Sequence, residues 1–169
     1  MPRLPSIRPI RHDNDDAPRL SGLLAIIFWC ACGITAVPLA GIFTLISVLG
    51  PQAAWSAIAD SLSAPGASSQ MLRFGLFPQV VLFVWAIGFV ILTVRRSART
   101  RALAPVALVV WLIVTAFSQF AIRDLLAPDG LTVGDLAALL PALLAQGVGV
   151  AGFVGYMREG ERPRRYFRS

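Results

Sequence analysis

Residues 74–94 read FGLFPQVVLFVWAIGFVILTV and run directly into RRSARTR at 95–101. The first stretch is 21 residues without a charge. At about 1.5 Å per helical residue, that length matches the roughly 30 Å hydrocarbon core of a bilayer. Of these residues, 14 are Leu, Ile, Val or Phe. Each is worth roughly a few tenths of a kcal/mol near the centre of a span, so insertion is favourable by about several kcal/mol. Arg95, Arg96, Arg99 and Arg101 then mark a membrane surface.

Three further segments repeat the pattern. Residues 20–49 are free of charge, as are 102–122 and 136–157. The whole chain fits this reading. It has 169 residues, 56% hydrophobic and 14% charged, with a mean hydropathy of +0.70. An ordinary soluble globule or a disordered chain carries far more charge. The expected fold is an all-α integral membrane protein, a single domain built as a four-transmembrane-helix bundle. The first segment would be about 45 Å long as a straight helix, so it must tilt, bend at Pro38 or project into the headgroups. Pro78 and Pro105 are expected in the first turns of their helices, where a missing N–H costs little, while Pro38 and Pro141 are interior.

Arginine sets the orientation. All 15 basic residues are Arg, against nine acids, for a net charge of +6. In so apolar a chain, this excess points to anionic phospholipid and not to nucleic acid. The tail 1–19 holds four Arg, the loop 95–101 four and the tail 158–169 five, which leaves Arg73 and Arg123 for the other side. The positive-inside rule then places both termini in the cytoplasm. A cleaved signal peptide is disfavoured, because the first apolar segment follows a 19-residue tail and is longer than an h-region.

The loop 50–73 is the longest outer piece. Trp55, Ile58, Ala59 and Leu62 share a helical face opposite Ser56, Asp60 and Ser61, which predicts a short amphipathic helix in the interface. A flexible connector is expected over 64–69. Thr132 followed by Asp135 predicts a capping box at the start of the last span.

Little resembles chemistry. Cys30 and Cys32 point about 200° apart on a helix, so they neither bridge nor share a metal. His12 lies beside Asp13, Asp15 and Asp16 in a solvated tail. No span carries an ionisable residue in its interior, which weighs against an ion-coupled pump and against hydrolytic chemistry in the bilayer. No catalytic residue, cofactor or metal is expected. Three features remain as candidate sites. Gly147, Ala151 and Gly155 form a stripe of small residues for close helix packing, either inside the bundle or at a homodimer seam. Gln79, Thr115, Ser118, Gln119 and Gln146 fall at similar depth and could line an outward-facing polar cavity, with Pro38 and Pro141 as helix breaks nearby. Arg158, Arg162, Arg164, Arg165 and Arg168, with Tyr166 and Phe167, form a basic aromatic tail suited to anionic lipid headgroups. The expected function is a non-enzymatic accessory or structural protein that docks lipid or a membrane-protein partner. A small-solute channel or transporter is the alternative.

The two ends carry a resemblance. The opening Arg19, Leu20, Ser21, Gly22, Leu23, Leu24 resembles an Arg-aliphatic-Gly-Gly-Trp-Leu run. The close, from Tyr156 and Met157 through Arg158, Gly160, Arg162, Pro163 and Arg164 to Tyr166 and Phe167, resembles Tyr-Phe, basic residues, then Ser-x-Arg-Val-Lys-x-Thr-Phe. Both belong to a family of small four-span bacterial inner-membrane proteins known as domain of unknown function 2569. Here Ser21 stands for Gly, Leu23 for Trp, Gly160 for Ser, Pro163 for Val and Tyr166 for Thr. The resemblance implies the four-span topology and a bacterial inner-membrane location, and it carries no catalytic residue.

The topology is testable by single cysteines, Ser68→Cys and Ser169→Cys, in a Cys30→Ala, Cys32→Ala background. An impermeant thiol reagent added to intact cells is expected to label position 68 and not position 169. The reverse pattern would overturn the orientation.

Overall fold

The computed structural model describes residues 20–127, 130 and 132–167. Among the described residues there are six helices and no strand: α1 Leu23–Leu49, α2 Pro51–Ser63, α3 Ala67–Val94, α4 Thr100–Leu126, α5 Val133–Glu159 and α6 Glu161–Tyr166. Four of them, α1, α3, α4 and α5, are long and apolar enough to cross a membrane. The chain is therefore an all-α, multi-pass membrane protein. Leu24 of α1 and Phe167 after α6 share one core cluster, so both ends of the described chain lie at the same end of the bundle. We call it the basic end, and the opposite one the loop end.

α3, α4 and α5 outrun their charge-free segments, because backbone hydrogen bonding continues past the hydrocarbon edge until something breaks it, whereas α1 starts only at Leu23, after Gly22. α3 begins at Ala67, well before Phe74. Pro78 and Pro105 are therefore not in first turns, as expected from the apolar boundaries, but inside α3 and α4, where both are buried. Each removes one N–H from the helix ladder. α1 likewise stays helical through Pro38. The connector expected over 64–69 shrinks to 64–66, since Ala67 already starts α3. The Ser69 hydroxyl donates to the Gly66 carbonyl at 2.9 Å and also to that of Ala64, which ties down this turn.

The amphipathic outer helix is present as α2. Pro51 opens it and Gly50, at φ 80°, makes the break from α1. Its inner face is Ala54, Ile58 and Leu62, while Trp55 is exposed.

α1 packs on α3, α3 on α4, and α4 on α5. The core is built from Leu24 and Ala31 of α1, Trp85, Ala86 and Phe89 of α3, Ala104 and Leu108 of α4, Val150, Phe153 and Met157 of α5, and the pair Tyr166 and Phe167. At its centre the Trp85 and Phe89 rings stack, with centroids 5.5 Å apart. Phe153 meets both edge-on, at 5.8 and 6.0 Å. The buried Trp85 Nε1–H donates to the Ala104 carbonyl at 2.9 Å. One side chain thus joins three spans.

Trp85→Phe keeps most of the apolar surface and removes the hydrogen bond. The expected cost is about 1 kcal/mol, or a fall of roughly 2–4 °C in the Tm of the detergent-solubilised protein. Trp29→Phe, at a residue 70% exposed, should leave the Tm unchanged.

Candidate functional site

The basic end is closed by α6. Gly160 terminates α5, and a Cβ there would collide with the Tyr156 carbonyl and the Pro163 ring, so the reversal needs glycine. Pro163 is buried and seats the short helix against the bundle. Tyr166 and Phe167 follow it inward, 8% and 1% exposed. The Tyr166 hydroxyl donates to the Thr93 carbonyl at 3.4 Å, and its ring meets that of Phe167 edge-on. The expectation that this aromatic pair contacts lipid headgroups is therefore corrected: it packs into protein. The cause is the Gly160–Pro163 turn, which folds the tail back over the helix ends.

Several arginines of this end serve the fold. The last carbonyls of α5 lack intrahelical donors, and cations favour the negative end of a helix. Arg101 donates to the Met157 and Arg158 carbonyls, each at 3.4 Å. Arg164 adds two bonds to the Arg158 carbonyl at 3.2 and 3.1 Å. Arg165 pairs with Glu161 on the exposed face of α6.

α3 ends in a Schellman turn. The Ser97 N–H donates to the Leu92 carbonyl and the Arg96 N–H to that of Thr93, both at 3.0 Å. This requires a left-handed residue at Arg96, φ 50°, where glycine is usual. The Arg96 guanidinium lies over the Tyr166 ring, 5.4 Å from its centroid. That cation–π contact offsets part of the backbone cost.

Arg162 reaches across to the start of α1. Its guanidinium lies where a Cβ on Gly22 would stand, and Gly22 itself has φ 63°. The two segments that carry the sequence resemblance are thus in contact. The guanidinium groups of Arg95, Arg99 and Arg158 are exposed and have no hydrogen-bond or ion-pair partner among the described residues. Arg168 lies outside the described residues, as do His12, Asp13, Asp15 and Asp16.

The loop end treats its two arginines differently. Arg73 donates to the Leu62 carbonyl and, at 3.1 Å, to that of Ala64, capping the end of α2. Arg123 pairs with Asp135 at 3.6 Å. The expected capping box is present: the Thr132 N–H donates to the Asp135 carboxylate at 3.1 Å, and the Asp135 N–H to the Thr132 hydroxyl at 3.3 Å. Hydrogen bonds from Thr132, with Arg123 adding a smaller effect, hold the Asp135 carboxyl below its ordinary range.

The proposed polar cavity residues separate. Gln79 is exposed on α3 and Gln119 is half-buried. Thr115 and Ser118 are buried, and Gln146 turns a buried carbonyl oxygen inward. The five do not all face one lumen. The stripe Gly147, Ala151, Gly155 does not meet another helix closely either: Ala151 is exposed, and no atom stands within 4 Å of a Cβ built at Gly147 or Gly155. α5 instead turns Leu139, Val150, Phe153 and Met157 inward, because Phe153 must reach Trp85 and Phe89. Packing of the stripe inside the bundle is corrected accordingly. Cys30 and Cys32 are free thiols. Among the described residues no three His, Cys, Asp or Glu side chains gather as a metal site.

The class is that of a four-span α-helical membrane protein with one strongly basic end. Comparison with known protein families, curated proteins and solved structures finds no match for the chain.

Gly22→Ala should destabilise the fold by about 1–2 kcal/mol from its positive φ, together with displacement of Arg162. Gly33→Ala, in open helical surface, should be neutral or slightly stabilising. Chemical denaturation in mixed micelles distinguishes them. Equal effects would show that the Gly22 contact is dispensable.

Proposed function

We propose that this chain is a non-enzymatic accessory or structural protein of the bacterial inner membrane, a relative of the family it resembles. In this reading the basic end is cytoplasmic and docks anionic phospholipid. The observation that carries it is the contrast between the two ends. Both loop-end arginines are consumed locally, by a helix end and by Asp135. At the basic end Arg95, Arg99 and Arg158 exceed what the fold uses. Two helices, α1 and α4, begin there and two, α3 and α5, end there, so their dipoles oppose one another and the surplus arginines set the field. An anionic surface answers it.

The binding group differs from the sequence expectation. With Tyr166 and Phe167 packed inward, lipid contact falls to arginine alone, chiefly Arg95, Arg99 and Arg158. Each is worth up to about 1 kcal/mol near an anionic surface. Contact between the resembling segments at Gly22 and Arg162 supports the family reading, since a shared role for both ends gives a reason for both motifs. A channel or transporter is the second reading, favoured by the buried polar atoms of Thr115, Ser118 and Gln146.

The test uses the full chain in mild detergent with added phosphatidylglycerol, cardiolipin or phosphatidylcholine. The anionic lipids should bind in native mass spectra and raise the Tm, and salt should weaken both effects. The triple variant Arg95→Gln, Arg99→Gln, Arg158→Gln should lose on the order of 100-fold in affinity. Equal affinity for phosphatidylcholine, or an unchanged variant, would reduce the arginines to a topological signal.

A further inference from the structure

Gln79, Gln119 and Gln146 are the glutamines of the charge-free segments, and they are placed differently. Gln119 and Gln146 are half-buried, while Gln79 is exposed on α3. The Gln79 amide has no hydrogen-bond partner among the described residues. The exposed hydroxyls of α1 avoid this condition, since Thr44 and Ser47 donate to carbonyls four residues earlier in their own helix. A helical hydroxyl beside lipid is ordinarily satisfied that way. A glutamine amide carries two N–H donors and an acceptor oxygen, and here its own helix leaves all of them unpaired.

Depth makes that amide costly. Along α3 it lies about 9 Å from Arg73 and about 24 Å from Arg95, at about 1.5 Å per residue. Arg73 is bonded to the end of the amphipathic helix α2 and so marks the headgroup level. Gln79 is therefore inside the hydrocarbon layer, where water does not satisfy a polar group. Leu72, Gly75, Leu76 and Gln79 are spaced i, i+3, i+4, i+7, which puts them on one face of α3, and all are exposed. No atom stands within 4 Å of a Cβ built at Gly75. Toward the basic end the same face closes, with Phe83 half-buried and Ala86 fully buried. The open part thus carries one unpaired amide and, one turn from it, one glycine.

We propose that this face of α3 is a homodimer seam, in which the Gln79 amides of two copies pair across a twofold axis along the membrane normal. A partner for Gln79 must offer both a donor and an acceptor, and must offer them at its depth. A second copy inserted in the same orientation meets both demands with Gln79 itself. Each carbonyl accepts from the other copy's N–H, so the contact is self-complementary, as a twofold interface requires. An acyl chain has no polar group at that level. Gly75 lets the two backbones approach closely enough for the amides to meet. The stripe Gly147, Ala151, Gly155 on α5 offers small residues alone. The seam does not depend on the lipid reading of the basic end.

Energy transfer between two fluorescently labelled populations of the full chain, reconstituted together in phosphatidylcholine bilayers, tests it. Transfer should exceed the random-proximity level and fall on lipid dilution. Gln79→Leu should weaken the association about tenfold, whereas Gln79→Asn, which keeps an amide, should retain most of it. Oxidative cross-linking locates the seam. In a Cys30→Ala, Cys32→Ala background that keeps Gln79, Leu76→Cys should give a disulfide-linked dimer and Ala151→Cys should not. Adding Gln79→Leu should reduce the Leu76→Cys product. Transfer no greater than random proximity would overturn the proposal, since it would mean that the amide reaches the headgroups within a single copy. Cross-linking at Ala151→Cys and not at Leu76→Cys, or an association that Gln79→Leu leaves unchanged, would equally overturn it, because the copies would then meet elsewhere.

Discussion

The bond from the Trp85 indole to the Ala104 carbonyl is the constraint on which the bundle geometry turns. Between helices in lipid there is no hydrophobic driving force, because an acyl chain is as apolar as a leucine. Shape and polar pairing must choose which faces meet. An indole N–H deep in a span needs a partner, and only another protein group can supply one there. Trp85 lies about 14 Å from the basic end of α3 at about 1.5 Å per residue, well below the interfacial belt where tryptophan is usual. Once it is fixed on α4, its ring and that of Phe89 offer an aromatic surface that Phe153 covers. α5 is thereby rotated so that its bulky face points in and its glycines point toward open space.

That rotation explains what the sequence did and did not disclose. Span number was legible because bilayer thickness demands a length, and α2 because a period of 3.6 sets Trp55, Ile58, Ala59 and Leu62 apart from Ser56, Asp60 and Ser61, although the face that packs inward is centred on Ala54 and leaves Trp55 exposed. The Thr132–Asp135 box was legible because capping is local. Helix faces were not, since α3 is apolar around its whole circumference and carries no stripe to read. Small residues at 147, 151 and 155 suggested a contact that the aromatic cluster outcompeted. Trp85 was the missed signal: a tryptophan in the middle of a span, where its N–H cannot reach water, marks a packing anchor. The tail misled for a similar reason. Tyr166 and Phe167 beside arginines read alike whether they enter headgroups or protein, and the decision lies in the Gly160–Pro163 reversal, which the spacing of charges does not encode.

The basic end divides its arginines by use. Arg101 and Arg164 complete the carbonyls of α5, Arg96 covers Tyr166, and Arg162 lies on Gly22. None of these tasks needs a membrane surface charge, yet each places a guanidinium at the same level. A positive-inside count treats all of them as equal topological marks. The structure separates those that hold helices together from those left over, and that separation turns a rule about insertion into an argument about ligands.

α1 shows why the closing helix matters. Its buried residues are Leu24 and Ala31, and none lies between Ala31 and Leu49. Along the loop-end half it has little protein to pack on beyond α3 and α2. With few buried contacts, a segment opens at lower free energy than the rest of the fold. Its position is set by Ala31 and its neighbours Ile27, Phe28 and Ile34 against the core, and at its ends: Gly50 and Pro51 turn it into α2, while Leu24 shares the core with Phe167 and Gly22 receives Arg162. In a closed four-helix bundle the first and last helices brace one another along their length. Here α1 and α5 share no extensive packing, and the six-residue α6 brings Arg162 and Phe167 to the start of α1. The bundle is therefore best packed at the basic end and around Trp85, and α1 is least enclosed between Ala31 and the loop end, where none of its residues is buried.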